Sequence, residues 1–215
     1  MGLTDDGVDH LDQRLRAGDL DALGALFAMF RQRLWRIVDF RLDRRLRGRL
    51  DPDDLLQETY LAASGQLVHY AAKPDLSPFL WLRMVAGQVL IRAHRRNLAC
   101  QLRNVDRELP QSAGNFPQTT SVSLVEQLAG STTSPSHAAV RAEMVEQLQR
   151  TIARMDPIDQ EVLALRHFEE LTNGEVAEVL GIQQKAASLR YARALRQLKE
   201  ALAQVPGLRG GGSDA

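Results

Sequence analysis

Apolar residues recur at helical spacing along most of the chain, and leucine and alanine dominate them. No alternating apolar run bounded by an Asn-Gly or Asp-Gly turn is present, so the pattern favours helix over sheet. The predicted helices cover 8–17, 19–48, 52–69, 77–99, 135–154, 157–169, 173–180 and 184–203. In 19–48 the predicted core stripe is Leu23, Leu26, Phe27, Phe30, Leu34, Ile37 and Val38. The fold class predicted is all-α.

Four prolines each follow an aspartate or a serine: Asp51-Pro52, Ser77-Pro78, Ser134-Pro135 and Asp156-Pro157. Each dipeptide is typical of a helix start, where the side-chain oxygen caps a backbone N–H and proline occupies the first helical position. Thr172 and Glu175 have the spacing of a capping box. Five helix starts are therefore predicted from capping chemistry.

The composition changes between 110 and 136, where proline, glycine, serine and threonine replace most charged and aromatic residues. Such a stretch is typical of a linker. We therefore predict two small helical domains, 8–100 and 135–204, joined by a flexible linker over 101–134. A disordered, glycine-rich tail is predicted over 205–215.

The chain has 215 residues, of which 44% are hydrophobic and 25% charged, and this composition excludes global disorder. The single cysteine, Cys100, excludes a disulfide framework and a thiolate zinc site, and fits a reducing cytoplasm. No apolar run approaches the roughly 18 residues of a membrane helix, and the polar N-terminus is not a signal peptide. A cytoplasmic protein without a membrane partner is predicted.

The formal net charge is zero, with 27 basic and 27 acidic side chains, but the charges lie in opposed blocks. Residues 31–49 hold eight arginines and two aspartates, whereas 50–62 hold four acids and no base. Residues 76–105 hold five arginines and no acid. Seven acids and one base in 156–178 precede five bases and no acid in 179–199. A single block is commonly a solvated helix face, but the repeated order favours two partner surfaces of opposite sign.

The segment 172–203 predicts a helix-turn-helix, with Ala177 allowing close helix approach and Gly181 supplying the tight turn. The predicted buried stripe is Val176, Leu180, Ile182, Ala187, Tyr191, Ala194 and Leu198. The opposite face carries Gln184, Lys185, Ser188, Arg190, Arg193 and Arg196. In this geometry the start of the second helix enters the DNA major groove. The alternative is a helical hairpin with a solvated basic face.

Asp54, Gln57 and Glu58 share one helical face by their i, i+3, i+4 spacing. This face could dock on a basic protein surface, or its acids could merely stabilise the helix N-terminus. A third interpretation is that Asp53, Asp54 and Glu58 hold Mg²⁺ and a diphosphate, which requires a facing carboxylate cluster that the sequence does not show. The five histidines have no ligand spacing, so we expect no catalytic site, metal or cofactor.

In 77–99 the predicted core stripe is Phe79, Leu82, Val85, Ala86 and Val89. The remaining larger or polar side chains are Trp81, Arg83, Gln88, Arg92, Arg95 and Arg96. An aromatic ring, an amide and arginines together suit single-stranded nucleic acid, which offers unstacked bases and phosphates. For Trp81 taken alone, a core position is the commoner interpretation.

These motifs together resemble bacterial RNA polymerase sigma factors, specifically the small extracytoplasmic-function (ECF) group of the sigma-70 superfamily. The resemblance covers about 10–100 and 135–203. Residues 51–59 are similar to the acidic signature of the second sigma region, and 79–96 to the helix that melts and reads the −10 element. The helix-turn-helix is similar to the fourth region, which reads the −35 element. Residues 102–110, 133–136 and 186–195 further resemble a planctomycete-type subgroup.

The resemblance implies a promoter-specificity subunit that has no active site. Its implied partners are promoter DNA, the clamp and flap of core RNA polymerase (in the largest and second subunits) and, as is typical of the family, an anti-sigma factor. The implied core-binding residues are Asp54, Gln57 and Glu58. The six residues from Trp81 to Arg96 would bind the −10 element, where the loop 70–77 captures a flipped base. The implied −35 contacts are Gln184, Lys185, Ser188, Arg190 and Arg193.

Four residues depart from the family's usual pattern. Gln88 stands where Asn is common and Arg92 where Asp is common, so the family's −10 preference does not transfer to this chain. Leu189 and Ser188 stand where basic or polar residues are common on the −35 reading face. The regions that precede and separate the two domains in large sigma factors are expected to be absent.

The rival to this interpretation is a conventional helix-turn-helix repressor or activator, which binds duplex DNA without polymerase, usually as a dimer. The zero net charge helps to distinguish the two interpretations, because a protein without net charge has no overall positive field to attract DNA. We therefore expect the free protein to bind DNA weakly and to depend on core polymerase for affinity.

Overall fold

A computed structural model describes residues 5–99, 124, 125, 128 and 138–205. The chain divides into two units, Met1–Pro117 and Gln118–Ala215. Every regular element in the described residues is a helix or a helical turn, so the predicted all-α class is confirmed.

The first unit consists of α1 (Asp5–Arg16), α2 (Leu20–Arg41), a 3₁₀ turn (Arg44–Leu46), α3 (Pro52–Ser64), α4 (Leu67–Ala71) and α5 (Pro78–Ala99). Helices α2, α3 and α5 pack against one another, and α1 packs on α2 and α4. Helix α5 is buried on almost every side over its first four turns. Beside the five predicted stripe residues, the residues buried in α5 include Leu80, Trp81, Arg83, Leu90 and Ala93.

Two predicted helices of the first unit end earlier than expected. Helix α2 ends at Arg41 because Leu42 is extended, and the Asp43 side chain then accepts the Arg45 backbone N–H at 2.9 Å. An aspartate that binds the N–H two residues ahead competes with helix continuation. The predicted helix 52–69 is split at Gly65 into α3 and α4.

The predicted helix starts within the described residues are confirmed. Asp51 and Asp156 each accept a backbone N–H two residues ahead. The Ser77 hydroxyl accepts the Leu80 N–H at 3.3 Å, and Thr172 forms the capping box with Glu175. The predicted start at Ser134-Pro135 lies outside the described residues.

The second unit consists of α6 (Ala138–Arg154), α7 (Pro157–Leu163), a π-helical turn (Ala164–Phe168), α8 (Asn173–Leu180) and α9 (Gln184–Leu202). Helix α9 packs on α6, α7 and α8 around a core that includes Leu148, Ile152, Val162, Leu165 and Val176.

Only three residues of the predicted linker 101–134 fall in the described part of the chain. Leu124, Val125 and Leu128 are helical there, and the first two are buried. The remainder of that stretch, and residues 206–215 of the predicted tail, lie outside the described residues. Among the helices that are described, none combines the length and the apolar character that crossing a membrane requires.

Candidate functional site

Helices α8 and α9 form the predicted helix-turn-helix, and its turn depends on Gly181. This residue has φ 63° and ψ 34°, a left-handed conformation that glycine adopts without steric cost. The Ile182 N–H reaches back to the Ala177 carbonyl at 3.0 Å, which closes the end of α8. The predicted stripe forms the inner side of the pair: Val176, Ala187, Ala194 and Leu198 are buried, and Leu180, Ile182 and Tyr191 are half-buried.

The first turns of α9 present a polar surface outward. Gln184 and Lys185 are exposed, and Ser188 is half-buried. The Gln183 side chain does not cap this helix, and its first turn contains no acid. The positive end of the helix dipole therefore faces outward together with Lys185, an arrangement that suits a phosphate. Leu189 also lies on this side of α9, with 62% of its surface exposed.

Arg190 and Arg193 both bind one buried carboxylate, that of Asp159 in the first turn of α7. Arg190 Nη1 donates to Asp159 Oδ1 at 2.6 Å, and Arg193 donates through Nε and Nη2 at 2.7 and 2.8 Å. The Asp159 side chain is only 2% exposed, whereas those of Arg190 and Arg193 are 27% and 53% exposed. The two guanidinium groups are therefore fixed by their inner edges, and their outer edges remain accessible. We call these three residues the Asp159 cluster.

In the sequence Asp159 is only one of seven acids in 156–178, and nothing in that stretch predicts its role. The contact joins residues 31 and 34 positions apart, so no local spacing could have indicated it. Asp156 lies farther from Arg190, at 3.8 Å. Because these carboxylates offset part of the arginine charge, α9 is less basic than its sequence alone implies.

The structure contradicts the placement of Trp81 and Arg83 on the DNA-facing side of α5. Trp81 is 1% exposed and Arg83 is 4% exposed. The Trp81 ring stacks on Tyr70 of α4, with 4.4 Å between ring centroids and 25° between ring planes. Neither side chain can stack on or pair with a nucleotide in this conformation. The sequence predicted a single buried stripe on this helix, with the remaining side chains exposed. That prediction is wrong for Trp81 and Arg83 because neighbouring helices surround this part of α5.

The C-terminal half of α5 remains accessible. Arg92, Arg95 and Arg96 are exposed, and Gln88 is half-buried. Arg96 Nη2 binds the Glu58 carboxylate of α3 at 3.0 and 3.2 Å, and both side chains of this pair are largely exposed. One predicted −10 contact is thus paired with one predicted polymerase contact.

Helix α3 presents all three predicted core-binding residues, Asp54, Gln57 and Glu58, on the exposed surface. Asp53 pairs with Arg31 of α2. Since Asp53 and Glu58 are each bound by an arginine, neither carboxylate is positioned as a free ligand for Mg²⁺. In the described residues, no three His, Cys, Asp or Glu side chains come together in a way that could hold a metal ion.

A groove of about 370 Å³ lies between α2 and α3 beside this acidic face. Phe27 and Tyr60 form its apolar floor, with ring centroids 5.3 Å apart in an edge-to-face arrangement. Leu61 lies at its margin and is 69% exposed. An apolar centre with a polar rim is the usual composition of a protein interface.

His94 lies on the inner side of α5, between the exposed arginines. It is buried, and its Nε2 accepts the Asp43 backbone N–H at 3.3 Å. Burial lowers the pKa of His94, because the charged imidazolium would lose its hydration. The hydrogen bonds from Arg45 lower the pKa of the Asp43 carboxyl. The histidine is therefore neutral near pH 7 and acts as an acceptor.

Comparison with known proteins finds similarity to sigma factors. Residues 145–198 match the family model "Sigma-70, region 4". The ECF RNA polymerase sigma factor BldN of Streptomyces coelicolor is 23% identical over 193 residues, which cover 90% of this chain and 65% of BldN. The RNA polymerase sigma factor YlaC of Bacillus subtilis is 25% identical over 172 residues, which cover 80% of this chain and 88% of YlaC.

The chain thus spans just under two thirds of the length of BldN and most of the length of YlaC. The solved structure of CnrH in complex with the cytosolic domain of CnrY has a TM-score of 0.48 and 21% identity, and covers 91% of this chain and 97% of that one. Residues 145–198 thus match the sigma-70 region 4 model, and most of the chain is similar in sequence to the RNA polymerase sigma factors BldN and YlaC.

Proposed function

We propose that this protein is an RNA polymerase sigma factor of the ECF group, with a planctomycete-type subgroup as the finer assignment. It binds core polymerase, recognises the −35 and −10 promoter elements and promotes DNA melting, and it has no active site of its own. The observation that carries the proposal is the helix-turn-helix at α8 and α9, which lies largely within the residues matched to sigma-70 region 4. Such a subunit acts in the cytoplasm.

The −35 duplex meets the start of α9. Gln184, Lys185 and Ser188 reach base edges or phosphates in the major groove, as residues at the start of a recognition helix do. Arg190 and Arg193 contact the phosphate backbone with the guanidinium edges that Asp159 leaves open. Because both are already held by a buried carboxylate, little side-chain freedom is lost when they bind DNA.

The −10 element meets the first unit. Arg92, Arg95 and Arg96 attract the phosphates of the displaced strand, and Gln88 is placed to bind a base edge. A flipped base enters the loop 70–77, and stacking and hydrogen bonding offset the few kcal/mol that unpairing costs. Trp81 and Arg83 support this helix from inside and do not touch the nucleic acid.

Core polymerase meets α3. Asp54, Gln57 and Glu58 dock on the clamp of its largest subunit, and the groove beside them receives apolar side chains. The second unit contacts the flap of the second subunit, and an anti-sigma factor is a further partner, as is typical of such proteins. The exposed polar and apolar parts of α3 together support a protein partner at this face.

The test is run-off transcription by purified core polymerase with and without the protein on a genomic promoter library. We expect transcripts whose start sites share two spaced elements and that require the added protein. A gel shift without polymerase distinguishes the proposal from the rival interpretation. A conventional repressor or activator binds its duplex tightly without polymerase, whereas this protein should bind weakly. Tight specific binding alone, together with no promoter-dependent transcript, would refute the proposal.

A further inference from the structure

Arg16, in the last turn of α1, binds three separate segments of the first unit. Its Nε donates to Asp12 Oδ2 at 2.9 Å and its Nη1 donates to the Lys73 carbonyl at 2.9 Å. Its Nη2 donates to the Leu76 carbonyl at 2.8 Å and to the Tyr70 hydroxyl at 3.0 Å. Only 19% of the Arg16 side chain is exposed. One guanidinium group therefore joins α1 to α4 and to the loop before α5.

The loop between α4 and α5 contains a tight turn over 73–76. The Leu76 N–H reaches the Lys73 carbonyl at 3.3 Å, a long hydrogen bond, and Pro74 and Asp75 between them are exposed. Arg16 binds the carbonyls at both ends of this turn. Hydrogen bonds from a charged donor are about twice as strong as those between neutral groups. The two hydrogen bonds from Arg16 therefore contribute much of the interaction energy that holds the turn in one conformation.

Arg16 is itself held in place by aromatic and acidic neighbours. Its guanidinium carbon lies 4.4 Å from the centroid of the Tyr70 ring, and that ring stacks on Trp81. The Tyr70 hydroxyl donates to Asp12, which also accepts from Arg16. Burial, reinforced by the Asp12 hydrogen bond, raises the pKa of the Tyr70 phenol, so its hydroxyl stays a donor at neutral pH. Trp81 thereby helps to position the turn from inside the unit.

We propose that Arg16 is a positioning residue that holds the turn 73–76 in the form that receives an unstacked base of the −10 element. The inference rests on the proposed function and deepens it, because it names the group that shapes the base-receiving loop. A turn ordered in advance binds a base more selectively than one that must be ordered on binding.

The first test needs no polymerase and uses the full chain. Arg16→Lys keeps the charge but loses the planar fork that reaches two carbonyls. We expect amide hydrogen exchange at Lys73 and Leu76 to become at least about tenfold faster, as local opening becomes easier, with α3 unchanged. The matched control is Arg14→Lys, since Arg14 lies on the same helix but pairs with Asp19. Unchanged exchange at Lys73 and Leu76, or faster exchange throughout the unit, would overturn the proposal.

The second test measures base preference with reconstituted polymerase on promoters randomised in the −10 element. We expect Arg16→Lys and Arg16→Ala to flatten the preference for the flipped base by about tenfold, with Arg14→Lys like the wild type. A ratio of preferences does not depend on the folded fraction, so lower activity with an unchanged ratio would reduce Arg16 to a structural role. If the wild-type protein supports no promoter-dependent initiation, the proposed function fails, and hydrogen exchange still decides whether Arg16 holds the turn.

Discussion

Both units set arginines against carboxylates, but they bury the carboxylate to different extents. In the second unit Asp159 is 2% exposed and accepts hydrogen bonds from two arginines at 2.6 to 2.8 Å. In the first unit Arg96 and Glu58 are 60% and 45% exposed, and Arg31 and Asp53 are 52% and 46% exposed. The same chemical pair is thus part of the fold in one unit and part of the surface in the other.

The difference in burial predicts how each unit would respond to a charged partner. An exposed ion pair contributes about 0 to 1 kcal/mol, so Arg96 can exchange Glu58 for a phosphate at little cost. Separating a buried carboxylate from its arginines would cost several kcal/mol of stability, so under the proposed function we expect the Asp159 cluster to stay intact on DNA. We infer that the first unit can rearrange its charges on binding, whereas the second presents a fixed surface.

The largest expected effect comes from reversing one charge on α3. Asp54→Arg should abolish binding to core polymerase and reduce promoter-dependent transcription tenfold or more, about 1.4 kcal/mol or more, because the docking face would carry the wrong sign. Binding of a −35 duplex by the same protein at low salt should be unchanged, since that contact belongs to the other unit. Co-purification with core polymerase and a gel shift measure the two quantities separately.

Asp21→Arg is the matched control for this substitution. Asp21 is also an exposed acid in the first turn of its helix, so its reversal has the same effect on a helix dipole without altering α3. Equal loss of core binding in both variants would show that charge reversal does not act through α3 in particular, and the assignment of core binding to α3 would then be wrong.

The next effect tests the buried carboxylate. Asp159→Asn preserves the side-chain shape but removes the buried counter-charge that the two arginines share, so that only Asp156, 3.8 Å from Arg190, remains as an acidic neighbour. We expect the second unit to lose about 2 kcal/mol of stability, the value of hydrogen bonds to a charged group when both donors can turn partly to water. Amide hydrogen exchange in α9, with α3 as internal reference, measures this loss.

The same variant should bind non-specific duplex DNA more tightly and the −35 element less selectively. One negative charge is removed beside the phosphates, while the arginines lose their fixed orientation. The ratio of specific to non-specific affinity at one salt concentration should therefore fall. A ratio that stays constant would mean that Asp159 offsets charge without orienting Arg190 and Arg193.

Features set by neighbouring residues could be predicted from the sequence. Asp51 and Asp156 cap helices within two residues, and Thr172 binds Glu175 three residues ahead. Gly181 supplies a backbone conformation that other residues rarely adopt. Capping and turn chemistry are local, so one segment contains the whole signal.

Features set by distant residues could not be predicted in this way. The contact between Arg16 and Leu76 spans 60 positions, and that between Asp159 and Arg193 spans 34. The aromatic and basic residues of 77–99, together with the resemblance, predict a DNA contact for Trp81, but neighbouring helices bury it. Burial depends on how helices assemble, and a single helical period does not contain that information.

A smaller effect isolates the exposed pair of the first unit. Asp53→Asn breaks the ion pair with Arg31 by the same chemical change as Asp159→Asn. Because both partners are about half exposed, we expect the first unit to lose no more than about 0.5 to 1 kcal/mol, and less at high salt. Hydrogen exchange in α3 measures this loss. A loss as large as that from Asp159→Asn would remove the distinction between the two units.

The smallest effect concerns a buried group that is neutral, in contrast to the charged Asp159. Burial lowers the pKa of His94 below 6.5, the ordinary value for a histidine, so just below that pH the unfolded chain binds a proton that the folded chain does not. Stability of the first unit should therefore fall as the pH drops below about 6.5, with the full contribution present above that value. His94→Gln keeps an acceptor for the Asp43 N–H and should flatten the dependence of stability on pH. Denaturant unfolding followed by tryptophan fluorescence at several pH values measures this dependence.

The exposed His69 serves as control, and His69→Gln should leave the slope unchanged. An equal slope in the wild type and His94→Gln would place the pH dependence in other groups, and a buried neutral histidine would no longer distinguish the first unit from the second.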